Sequence, residues 1–178
     1  VLRTLFRDLG LKDEPRLRRR YLDAYLAHLE LRLADDEFAG VSLPGVLGLI
    51  EALAEIPDVA LGLLTGNVRA GAEHKLRRFD LHGFFAERAF GDDADDRNLL
   101  GPVAVGRFEA MLSKTIPVDE VIVIGDTVKD VACARALGAR CLAVATGTHG
   151  RAGLVESGAW HCLDDFQDTE RVVKLLTG

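Results

Sequence analysis

Residues 121–130 read VIVIGDTVKD, and this stretch limits the possible folds more than any other in the chain. Val121, Ile122, Val123 and Ile124 are four β-branched apolar residues in a row, the pattern of a strand buried on both faces of a parallel sheet. Gly125 turns the chain, and Asp126 and Asp130 follow four residues apart. That spacing puts Asp126 where the strand ends and Asp130 in the first turn of a helix running to about Leu137. In an open α/β sheet, ligands bind at the carboxyl ends of the strands. A pair of acids there suits Mg²⁺, which takes one or two carboxylates and completes its shell with water and phosphate oxygens. A plainer reading uses the same residues: Asp126 caps the helix and Asp130 complements its dipole.

The rest of the chain falls into two patterns. Over residues 1–38 the periodicity is helical, with Leu2, Leu5, Phe6 and Leu9 on one face and Gly10 as a stop. A second helix is predicted over 16–34, with Leu22, Tyr25, Leu26, Leu29 and Leu33 as its apolar stripe. Residues 37–42 read as a linker. From Pro44, a suitable first helical residue, helices alternate with short apolar strands. Strands are predicted over 59–64, 86–90, 121–124, 140–145 and 160–163. Helices are predicted from Pro44 to about Pro57, from the 65–67 turn to about Phe79, over 103–112 and at the C-terminal end. Strands separated by helices of this length imply right-handed βαβ units in an α/β three-layer sandwich built on a parallel sheet.

Composition narrows the function. At 178 residues the chain can hold one good core, or a core and a small lobe. Its net charge of −6 argues against a general nucleic-acid binder, since phosphate backbones need clustered Lys and Arg. The one basic run, RLRRR at 16–20, lies on a helix and reads as a solvated face. No stretch is apolar for long enough to span a bilayer, and no signal-peptide pattern opens the chain, so the cytoplasm is the expected location. Cys133, Cys141 and Cys162 lack metal-site spacing and read as small core residues. The chain starts at Val1, inside a helical pattern, and its single methionine is Met111.

Two further loops carry chemistry. Thr65-Gly66-Asn67 follows a predicted strand, and its hydroxyl, freed backbone N–H groups and helix start together suit a phosphate. Its plainer reading is a helix N-cap and a turn residue. Phosphate chemistry also calls for a fixed positive side chain. Arg97, at the end of the acidic loop over 91–98, is the choice over Lys114 and Lys129; its plainer role is a salt bridge within DDADDR.

These loops, in this order, resemble the haloacid dehalogenase superfamily of hydrolases, and within it the phosphoglycolate-phosphatase-like branch. LLTGN at 63–67 is similar to the family's second motif, whose Thr or Ser binds the transferred phosphoryl group. GDTVKD at 125–130 is similar to the fourth, whose acids hold Mg²⁺. LPGV at 43–46, CARALGA at 133–139 and VATG at 144–147 extend the likeness. The resemblance implies a Rossmann-like hydrolase core over 43–178 and, over 1–38, part of a helical cap. Where the branch usually has Lys-Pro as its third motif, this chain has Arg97-Asn98, which keeps the charge and adds a bidentate fork. The first motif, DxDGT, supplies the nucleophilic Asp and the acid/base Asp, and it is absent from the chain. Asp8 and Asp13 lie in helical surroundings and do not replace it.

What the resemblance implies is a Mg²⁺-dependent phosphatase acting on a small phosphorylated metabolite through an aspartyl-phosphate. Thr65 and Arg97 would hold phosphoryl oxygens, Gly66 and Asn67 would add to the phosphate cradle, Asp126 would ligate the metal and Asp130 would ligate or support it. The missing nucleophile leaves a second reading open, a phosphate- and metal-binding protein of the same fold without turnover. A dehalogenase is a third, weaker reading. The resemblance also implies that a strand carrying DxDGT lies between the strands over 59–64 and 121–124. The chain is therefore expected to be part of a longer protein, or to close that gap by direct pairing or with a strand from another chain.

Overall fold

Both patterns take shape in the computed structural model of the chain, which describes residues 2–178 apart from Asp36, Phe38 and Ala39, with side chains from Leu5 onward. Val1, the Leu2 side chain and part of the expected linker lie outside the described residues. Helix α1 (Leu2–Asp8) ends before Gly10, whose φ of +66° suits a residue without a Cβ. Helix α2 (Pro15–Ala34) starts on a proline, which has no N–H to leave unpaired. Phe6, almost fully buried, meets the Tyr21 ring edge-on at 5.8 Å and so joins the two helices. Tyr25 and Leu29 of α2 lie over Gly71 in α4 (Arg69–Arg78).

The alternating region forms two parallel sheets. In the first, β1 (Gly62–Leu64) pairs with β2 (Glu87–Ala89), Gly62 opposite Glu87 and Leu64 opposite Ala89. The second has the order β3 (Ile122–Gly125), β4 (Arg140–Val144), β5 (His161–Leu163). Parallel neighbours need long crossovers, and helices fill them: α4, α5 (Leu100–Leu112), α6 (Val128–Leu137) and α7 (Arg151–Glu156). On one face, Leu49 and Leu53 of α3 (Val46–Ala54), Val172 of α8 (Thr169–Thr177) and Phe166 in the loop before α8 enclose Leu142 and Val144 of β4. On the other, Val131 and Ala134 of α6 cover Cys141. This is the three-layer α/β sandwich expected.

Several boundaries differ from the sequence reading, each for a physical reason. Pro44 does not open α3; it sits before Gly45, whose φ of +78° turns the chain, and a Cβ at Gly45 would fall 2.0 Å from the Phe166 carbonyl carbon. The strand expected over 59–64 is reduced to β1, because Val59 closes a turn onto Ile56 and packs, with Leu61, against the α3–α8 core. The helix expected over 103–112 starts three residues earlier, behind a 3₁₀ turn at Arg97–Leu99. Helix α7 occupies a segment that gave no periodic signal.

The largest correction concerns the apolar run 121–124. It forms β3 but is not buried on both faces: Ile124 is 40% exposed, and the other three are half-buried. The strand buried throughout is β4, from Cys141 to Val144. The cause is pairing. β4 lies between β3 and β5, whereas β3 pairs only with β4 and β1 only with β2 among the described residues. Of the routes to closing the sheet, direct pairing of β1 with β3 is not taken.

Candidate functional site

The turn after β3 is organised by Thr127, which caps α6. Its Oγ1 accepts from the Asp130 backbone N–H at 3.3 Å and donates to Asp130 Oδ2 at 2.7 Å. The Thr127 backbone N–H donates to the same carboxylate oxygen at 3.0 Å, completing a reciprocal capping box. Asp126 therefore does not cap the helix, and Asp130 does more than complement its dipole. Asp130 is 6% exposed, the one buried charged residue among those described. Its other oxygen, Oδ1, accepts from Arg97 Nη2. Arg97 thus pairs across 33 positions of sequence rather than within DDADDR. Gly125 permits this packing, since a Cβ there would lie 2.4 Å from the Asp130 side chain.

Asp126 is placed differently. It is half-buried and makes no hydrogen bond or ion pair among the described residues. Its Oδ2 sits over Gly147, where a Cβ would come within 2.1 Å, so the loop after β4 is shaped around this carboxylate. Two buried polar atoms lack partners close by in sequence to these groups: Thr146 Oγ1, next to Gly147, and Arg97 Nε. Buried polar atoms are normally satisfied, and unpaired ones concentrate where something else binds. Lys114 and Lys129 are exposed and form no ion pair among the described residues, and Arg97 is the cation whose side chain pairs with this cluster.

These donors fit Mg²⁺ in one respect and limit it in another. A carboxylate free of hydrogen bonds and ion pairs among the described residues, seated over Gly147, is hard oxygen chemistry, as the ion prefers. No three His, Cys, Asp or Glu side chains converge as a metal site among the described residues. A bound ion would rest on Asp126, with Asp130 already committed to Arg97 and Thr127, and would draw its remaining ligands from water and phosphate oxygens.

The Thr65 loop follows β1. Thr65 N–H extends the ladder to Ala89 O at 3.0 Å, and its Oγ1 accepts from Asn67 N–H at 3.2 Å. Thr65 is not a helix cap, because α4 starts after Val68. The helix start is also not free for an anion, since the Asp92 carboxylate accepts from Arg69 N–H at 2.9 and 3.1 Å. The cradle that remains is the 65–67 turn itself. No hydrogen bond or ion pair joins it to the Asp126–Asp130 turn among the described residues; both follow strand ends, as predicted.

Sequence reasoning missed the clamp that holds the acidic loop. Asp93 takes a two-pronged pair from Arg107 at 2.8 and 2.8 Å, a backbone bond from Phe90 N–H at 2.8 Å and a longer one from Arg69 at 3.3 Å. The Arg107 guanidinium, with these other donors, pulls the Asp93 carboxyl down to about 2. Arg69 also stacks over Phe90 at 4.3 Å. Charged partners 14 and 24 residues apart leave no local pattern, whereas T-x-x-D at 127–130 was a readable capping signal. The three cysteines are free thiols; Cys133 and Cys141 lie in the core while Cys162 is only half-buried, and burial pushes the Cys141 thiol up to about 12.

Residues 102–169 match the family model described as hydrolase-like, HAD-hydrolase-like. Three solved structures share the fold. A hydrolase from Pseudomonas syringae matches at 20% identity with a TM-score of 0.71, covering 99% of this chain and 77% of that one. A predicted phosphoglycolate phosphatase from Haemophilus somnus matches at 15% identity and 0.70, covering 94% and 72%. A haloacid dehalogenase-like family hydrolase from Streptococcus pneumoniae matches at 19% and 0.61, covering 75% of this chain and 59% of that one. No curated protein matches. The likeness to the haloacid dehalogenase superfamily read from the motifs is thus met by a family model over the GDTVKD region and by the fold over nearly the whole chain.

Proposed function

We propose that this chain carries the phosphate and metal side of a haloacid dehalogenase-like phosphatase, which hydrolyses a small phosphomonoester in the cytoplasm with Mg²⁺. The observation that carries this reading is the Arg97–Asp130–Thr127 cluster, which fixes a cation on Asp130, four residues beyond the unengaged Asp126 at the end of β3. Asp126 would hold the ion, Asp130 would orient Arg97, and Arg97 with the 65–67 turn would bind phosphoryl oxygens. Mg²⁺, when bound, neutralises charge on the phosphoryl group. Hydrolysis through an aspartyl-phosphate needs an Asp to attack phosphorus as the ester P–O bond breaks and the leaving alcohol takes a proton. Water then cleaves the acyl-phosphate. DxDGT would supply that nucleophile, and this sequence does not contain it.

A second reading, a pocket that binds phosphate and metal without turnover, uses the same residues. The two are separated by comparing this chain with a version extended by a DxDGT-bearing strand. The phosphatase reading expects Mg²⁺-dependent hydrolysis of p-nitrophenyl phosphate by the longer protein alone, diminished by Asp126→Asn because a neutral amide is a poor ligand for a hard cation. An extended protein that stays inert while the chain binds phosphate would leave the binding module.

A further inference from the structure

Along α6, from Val131 to the Gly138 cap, lies a cavity of about 300 Å³, open on one side. That volume is at the lower end of the range for small-molecule sites, roughly 300–1,000 Å³. Its inner wall is apolar: Val131 and Ala134 of α6 and Cys141 of β4 are buried, and Trp160 stands half-buried beside them. The charged residues that line it are Arg135 and Arg140, with no carboxylate, in a chain whose net charge is −6.

The two arginines are held differently. Arg140 stacks on the Trp160 ring at 4.5 Å and donates to Asp119 O at 3.1 Å, so its guanidinium is fixed with donors to spare. Arg135 is exposed and makes no hydrogen bond or ion pair among the described residues, which leaves its planar fork free. The Trp160 indole, in contact with Arg140 at 4.5 Å and the His161 ring at 4.4 Å, an apolar floor and a free guanidinium at the rim are the complement of a small ring that bears an anion. We propose that this cavity binds a small aromatic anion, with the ring against Val131, Ala134 and Trp160 and the charge on Arg135 and Arg140. Arg135 lies five residues beyond Asp130 on α6, about 7.5 Å along the helix axis, and the occupancy of this cavity does not depend on the phosphatase reading.

Trp160 is the chain's single tryptophan, so its fluorescence reports on this cavity directly. The probe is benzoate, titrated into the intact 178-residue chain by fluorescence and calorimetry. Benzyl alcohol, a ring without charge, and inorganic phosphate, a charge without a ring, are the controls. The expected result is saturable one-to-one binding of benzoate alone, weakened about tenfold or more in Arg135→Ala with the melting temperature unchanged. Arg135 also complements the dipole at the C-terminal end of α6, a role lysine fills equally well. Arg135→Lys should therefore still weaken benzoate, because the fork is lost while the charge stays. No saturation up to about 10 mM benzoate, equal binding of benzyl alcohol, or unchanged binding in Arg135→Ala would each overturn the proposal.

Discussion

In β4, four consecutive residues from Cys141 to Val144 are buried, while none of the three residues of β1 is. The two half-sheets are built on the same plan, parallel strands with helical crossovers, yet they differ in what covers them. β4 has a paired strand on each edge and a helical layer on each face. β1 and β3 each have one edge without a partner among the described residues, and Ile124 shows the consequence in its exposure. Burial of a strand is therefore set by its neighbours as much as by its own side chains. The candidate site spans the same division. Arg97 comes from the segment after β2, Asp130 from the turn after β3, and their ion pair ties one half-sheet to the other. The α5 helix does so by packing on β1, β2 and α6.

The strongest test of that tie is Arg97→Ala. It leaves the buried Asp130 carboxylate with only its Thr127 bonds, and breaking a buried pair in this way typically costs about 3–5 kcal/mol. Urea unfolding should show this loss, and Arg97→Ala combined with Asp130→Asn should cost less than the sum of the two single changes. Under the proposed phosphatase reading, Arg97→Ala in a version extended by a DxDGT-bearing strand should also lower turnover by about 10²–10³-fold, with Lys114→Ala almost silent. The reverse would move the phosphate clamp to Lys114.

Next in size is Leu142→Ala, which opens a cavity in the fully buried β4 and should cost about 2–5 kcal/mol. Leu63→Ala in half-buried β1 should cost clearly less by the same measurement. Equal losses would mean that the two half-sheets are equally packed.

The Asp93 clamp predicts a pH effect confined to the first half-sheet. The Asp93 carboxyl is held near 2, below its ordinary 3.8, so the folded state binds the proton less tightly than the unfolded one. Its contribution is present above about pH 4 and is lost as pH falls toward 2. A shift of this size corresponds to about 2 kcal/mol. In Asp93→Asn, stability should fall less steeply between pH 4 and 2, as followed by thermal melts.

How legible these features were follows from how local their causes are. The βα turn at Asp126, the glycine stop at Gly10 and the alternation of helix and strand all rest on neighbouring residues, and the sequence displays them. Helix α7 was hidden because its six residues bury one side chain, Leu154, which cannot establish a period. β2 begins Glu87-Arg88, too polar to mark a strand boundary. The contacts made by Asp92, Asp93 and Arg97 depend on folding partners 14 to 33 residues away, and no local pattern records them. For Ile124, the resemblance already implied an open edge beside 121–124, but the apolar run itself read as buried and did not record the exposure.

Ile124→Ala is accordingly the smallest expected effect in this chain and the one that most sharpens the contrast between halves. A side chain already 40% exposed loses little burial on truncation, and the change should cost about 1 kcal/mol or less. The same substitution in a version extended by a DxDGT-bearing strand makes a different prediction. A strand seated along the open edges of β1 and β3 would use their unpaired N–H and C=O groups and cover Ile124, giving it the surroundings that β4 has now. Truncating a buried isoleucine costs about 2–5 kcal/mol. The extended protein should therefore melt higher than the chain alone, and should lose more of its stability to Ile124→Ala. If Ile124→Ala costs the same in both, the added strand does not lie against β3, and the exposure of this residue has another cause than an unpaired edge.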